Sequence, residues 1–101
     1  MPGVVRYGDH LAVEVLDDAM SPHASSGDIA ALEVGVDWPA GTMIAALVDG
    51  RVAVGWVTCW RGDAWFIRAR GPYPTRLNRV TVLGAVRQVL RVASRPLLRA
   101  A

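Results

Sequence analysis

The chain contains no lysine and a single cysteine. Lysine is the side chain that burial most readily converts into a neutral amine base near pH 7, so its absence removes that kind of catalysis. All eleven basic residues are Arg, which stays protonated inside proteins. One cysteine, Cys59, excludes an internal disulfide and any cysteine-rich metal site. Between Val57, Thr58 and Trp60 it reads as a buried structural thiol on a strand. His10 and His23 are the only histidines, with no Glu or Cys at a ligand spacing, so neither a metal nor a cofactor is expected. Carboxylates are missing after Asp63: nine carboxylates and three arginines precede that point, and eight arginines with no acid follow. The basic half either neutralises the acidic half on folding or meets phosphate or an acidic partner. No apolar run is long enough for a membrane-spanning helix, and Arg6, Asp9 and Glu14 interrupt any signal-peptide core. A cytoplasmic protein without a membrane partner is the expectation.

What is present is apolar. Hydrophobic residues make up 52% of 101, enough for one domain with a real core. Residues 1–10, broken by Pro2, Gly3 and Gly8, read as an arm or linker, residues 11–92 as a β domain, and residues 93–101 as a tail. Strands are predicted at Leu11–Leu16, Ile29–Val34, Thr42–Val48, Arg51–Trp60 and Ala64–Arg70. A final long strand runs from Arg79 through Leu90, bent at Gly84. A helix from Ala85 to Arg95 competes with it, because Val86, Val89, Leu90 and Ala93 have helical spacing. On the last strand Val80, Val82, Gly84, Val86 and Gln88 share a face. Asp49-Gly50 and Arg61-Gly62-Asp63 read as hairpin turns. Asp17 to Gly27 suits a turn or one short helix, with Ser21 as cap and Pro22 at its first position. The fold class is therefore mainly β, a partly closed barrel of folded sheets with one short helical turn.

Five pieces in order carry a resemblance. Ala19-Met20-Ser21-Pro22 follows the first strand, and Gly27-Asp28-Ile29 opens the second. Gly41 to Val48, Asp49-Gly50 and Val52-Ala53-Val54-Gly55-Trp56-Val57 form an ungapped central block. Gly71-Pro72-Tyr73-Pro74 makes a loop, and Val82-Leu83-Gly84-Ala85-Val86 closes the chain. This series resembles the C-terminal domain of the LexA/phage-repressor family, peptidases related in fold to signal peptidases. The resemblance puts Ala19 where that family has the nucleophile of its Ser-Met-x-Pro corner. It puts Gly55 where the family has its catalytic Lys. Serine attack on an amide needs both a hydroxyl and a neutral base within hydrogen-bond reach. Ala19 has no oxygen, Gly55 has no side chain, and no lysine stands elsewhere. The expectation is a pseudo-peptidase, with no catalytic residue and a corner retained for structure.

The resemblance further implies a homodimer formed by the last strand, with Thr81, Leu83, Ala85, Arg87, Val89 and Arg91 as contact residues by edge-strand pairing. It implies a dimerisation module of a transcriptional or phage-type repressor, touching DNA only through another domain or chain. The vacated cleft is expected to accept an extended peptide without cutting it. Two other classes stay open. In one, the chain is a small β-barrel that binds nucleic acid through its arginines and Trp38, Trp56, Trp60 and Trp65; the competing use of those indoles is core and hairpin packing, with Trp65 paired across the turn. In the other, the chain is a hydrolase with an unrecognised site, for which Ser21 and His23 are the candidate pair.

Overall fold

The computed structural model describes residues 4–7, 10–71 and 73–91. The fold is mainly β: among these residues lie eight strands in one antiparallel sheet and a single 3-10 turn at Leu77–Arg79. The strands are β1 Val4–Tyr7, β2 His10–Glu14, β3 Ile29–Glu33, β4 Met43–Val48, β5 Arg51–Trp60, β6 Asp63–Ile67, β7 Thr75–Arg76 and β8 Thr81–Leu90. Their order in the sheet is β1-β2-β3-β8-β4-β5-β6-β7. Val4–Tyr7, inside the stretch read as an arm, pairs with β2. The expected tail, 93–101, lies outside the described residues.

Both expected hairpins form. Asp49 and Gly50 take φ of 52° and 78°, and Arg61 and Gly62 take 52° and 81°, so each two-residue turn has positive φ at both centres. Such turns twist in the sense that adjoining antiparallel strands require. Of the two alternatives for Asp17 to Gly27, the corner after β2 takes the turn, with an isolated bridge from Met20 to Ala24, and not the short helix capped by Ser21.

The continuous apolar run of β4 is explained by burial on both faces. Met43, Ala45 and Leu47 pack into one cluster with Val13, Met20, Leu32, Val52 and Val54. Ile44, Ala46 and Val48 pack into a second with Val57 and Phe66. Alternation along β5 follows the expected faces, Val52, Val54 and Trp56 on the first cluster and Ala53 and Val57 on the second.

The last strand departs from its expected face. Ala45 pairs with Gly84 but Ala46 with Val82, so Leu83 is an extra residue. Ala31 pairs with Gln88 but Leu32 with Val86, so Arg87 is another. Each bulge reverses the in-out parity of the residues beyond it. Val80 and Val82 consequently join the second cluster, while Leu83, Val86 and Val89 join the first. At Gly84 an added Cβ would lie 2.9 Å from the Glu33 carbonyl oxygen, so the backbones meet too closely for a side chain.

Candidate functional site

The corner from Asp17 to Asp28 is held from within and from across the sheet. Gly27, at φ 91°, lets the chain turn so that its N–H donates to the Val15 carbonyl at 2.8 Å, while the Val15 N–H donates to the Asp28 carbonyl at 2.8 Å. The buried Asp28 accepts the Ser25 N–H at 2.9 Å, and Asp18 accepts the Ser26 N–H at 2.9 Å. These are side-chain turn closures of the kind Asp supplies. Met20 is fully buried in the first cluster beside Ala24, whereas Pro22 is exposed.

From the far side the corner is tied to the end of β6. Arg68 uses its whole guanidinium: Nε donates to the Val54 carbonyl at 2.9 Å, Nη1 to Asp17 Oδ2 at 2.9 Å and Nη2 to Asp17 Oδ1 at 2.7 Å. The fork matches the carboxylate bidentately. That hydrogen bond is the main cause holding the Asp17 carboxyl below its ordinary value of 3.8, against the opposing effect of burial. The Arg70 N–H donates to the Ala19 carbonyl at 2.9 Å, and the Ala69 N–H approaches Met20 Sδ at 3.4 Å.

Position 55 is closed. A Cβ built on Gly55 would stand 2.5 Å from the Ile67 carbonyl oxygen and 2.7 Å from the Phe66 ring. The ring of β6 occupies the space that a side chain on β5 would need. A cavity of about 180 Å³ lies on the same side of β5, lined by Ala53, Phe66, Leu16, Asp17 and Arg68 among others; neither Ala19 nor Gly55 belongs to its lining. Ser21 and His23 do not form a pair. Ser21 Oγ lies 2.7 Å from Ser25 Oγ and 3.4 Å from Asp18 Oδ1, and the His23 ring stands edge-on to Trp56 at 5.2 Å.

The dimer residues expected on β8 divide. β8 lies between β3 and β4, so both of its backbone edges are already hydrogen-bonded and edge-on pairing through it is ruled out. Ala85 is buried, and Leu83 and Val89 are half-buried against the core. Thr81, Arg87 and Arg91 remain exposed; Arg87 Nε forms an ion pair with Glu33 Oε1 at 2.8 Å, and Arg91 Nη2 donates to the Pro22 carbonyl at 2.6 Å.

The tryptophans divide as well. Trp56 packs on the core beneath His23. Trp60 and Trp65 meet across the hairpin at 6.5 Å between ring centroids, as cross-strand packing predicts, yet Trp60 is 60% exposed. Cys59 is exposed, not buried, because β4 begins at Met43, opposite Trp56, and does not extend beside this end of β5. Sequence reasoning missed Arg68 and Phe66. A glycine in mid-strand signals close approach of a neighbour, so Gly55 itself was the available pointer to Phe66. Among the described residues no group of three or more metal-ligating side chains converges. No family model matches the chain, and no curated protein matches it.

Proposed function

We propose that this chain is a non-catalytic domain of the LexA/phage-repressor type that acts as an interaction module, dimerising a transcriptional or phage-type repressor. The observation that carries this reading is the closure of position 55: Phe66 and the Ile67 carbonyl fill the space a side chain there would need, at the position where the resemblance expects the base, and Ala19 stands where it expects the nucleophile. Without nucleophile or base, binding is the work left to the domain. The filling of position 55 by Phe66 and the Ile67 carbonyl disfavours a peptide seated in the vacated cleft.

With its edges occupied, β8 can meet a second copy only through its exposed side chains. The Arg87–Glu33 pair suits a two-fold axis, since each Arg87 can then face the Glu33 of the other copy and the patch is self-complementary. Sedimentation at micromolar concentration is expected to give a dimer that Arg87→Glu shifts to monomer. A strict monomer for the unmodified chain contradicts the dimer. Long incubation with Ala-Gly peptides or simple esters is expected to leave them intact. Turnover that Ser21→Ala abolishes would establish a hydrolase instead.

A further inference from the structure

The end of the β5–β6 hairpin offers a second surface, independent of the corner. Thr58 pairs with Trp65, Trp60 with Asp63, and Trp65 with Arg76, so these side chains share one face of β5, β6 and β7. On the same face, nearer the core, His23 covers Trp56. Beyond it a groove of about 480 Å³ opens, lined by Thr58, Cys59, Trp60, Trp65, Ile67 and Pro74. That volume accommodates a flat aromatic group, and none of its lining residues is charged.

Arginines rim the groove. The Arg61 guanidinium lies 4.6 Å from the Trp60 ring centroid, and that of Arg76 lies 4.9 Å from the Trp65 ring. On another side of Trp65, Arg76 and Arg79 line a second hollow with Pro74 and Thr75. Arg76 shares its charge with Asp63 at 3.1 Å, but Arg61 and Arg79 have no salt-bridge partner among the described residues. Trp65 stands between the apolar groove and the two-arginine hollow. Its Nε1–H is buried and has no acceptor among the described residues. A buried donor left unpaired is costly, so Trp65 is held less firmly than a fully hydrogen-bonded indole.

We propose that this face binds single-stranded nucleic acid, with bases in the groove against Trp60 and Trp65 and phosphates on Arg61, Arg76 and Arg79. Charge complementarity selects this occupant: neutral aromatic walls suit bases, and a rim with more guanidinium than carboxylate suits the phosphodiester chain. An apolar peptide would fill the groove but leave the rim unmatched. Duplex is excluded by the same chemistry, because its bases are stacked on one another and unavailable to indole.

The test is fluorescence anisotropy on the full chain with labelled oligo-deoxythymidine and oligo-uridine of about 12 nucleotides, between about 50 and 200 mM salt. At least one of the two strands should bind, tighter than a duplex of equal length by about tenfold or more. Trp60→Ala removes an exposed side chain and should weaken binding at least about fivefold. Arg79→Gln should reduce the logarithmic salt slope by about one. Absence of binding to either strand at low salt overturns the proposal. So does equal binding to duplex, or affinity unchanged by Trp60→Ala. A proline-rich peptide that binds this face while neither oligomer does would overturn it in favour of protein recognition.

Discussion

The corner at Asp17–Pro22 and the hairpin face at Trp60–Trp65 use the same kinds of residue in opposite ways. At the corner, Arg68 spends every arm of its guanidinium on Asp17 and the Val54 carbonyl, and Phe66 fills the hollow over Gly55. At the hairpin, Arg61 and Arg79 keep their charge unpaired among the described residues, and Trp60 stays exposed. The first region is a saturated scaffold; in the second, unsatisfied chemistry faces outward. The place where the motif resembles a catalytic corner and the place where we propose binding are therefore different. The corner has a structural use of its own: Met20 anchors the first cluster with no nucleophile beside it.

Truncations sharpen this contrast. Met20→Ala removes a fully buried side chain from the corner and should cost about 2–5 kcal/mol in urea denaturation. Loss of under about 1 kcal/mol would mean that the corner is loosely packed. Gly55→Ala adds one methyl against the Ile67 carbonyl and Phe66 ring and should cost about 3 kcal/mol, at the upper end for overpacking. A neutral effect would show that Phe66 yields easily and that position 55 is open after all.

Asp17→Asn tests the tie between corner and β6. Because the Asp17 side chain is 52% exposed, its pair with Arg68 should be worth no more than about 1 kcal/mol. The carboxyl is depressed in the folded state, so its stabilisation is present above the unfolded value near 3.8 and lost as pH falls through the folded value. Wild type and variant should differ by a constant amount near neutral pH and converge in acid. A gap that persists or widens in acid would assign the effect to another group. Trp60→Ala should cost no more than about 1 kcal/mol, the scale of its cross-strand contact with Trp65, although it deletes the largest of these side chains. A cost like that of Met20→Ala would make the hairpin face a structural surface.

Local features of the chain were legible in its sequence. Asp49-Gly50 and Arg61-Gly62 specify their turns by positive φ, and β5 spans Arg51–Trp60 as its alternation suggests. The packing of Trp60 on Trp65 follows from the turn that joins their strands. The last strand was harder, for a physical reason. Its two bulges bring Leu83, Val86 and Val89 to one face at intervals of three, a spacing that mimics a helix. Nor does the pattern of β8 reveal that β3 and β4 flank it, because strand order depends on pairings distant in sequence. Arg68 meets Asp17 across 51 positions, a partnership that no local motif encodes. The exposure of Cys59 likewise depends on where β4 begins, not on the residues beside the thiol.

Both regions can be followed in one spectrum. Amide and indole N–H shifts, recorded during titration with the single-stranded oligonucleotide, report the corner and the hairpin together. The account predicts that the indole signals of Trp60 and Trp65 move, while those of Trp56, Ala19, Ser21 and Arg70 stay in place. Movement centred on Ala19, Ser21 and Arg70, with Trp60 and Trp65 unaffected, would contradict it.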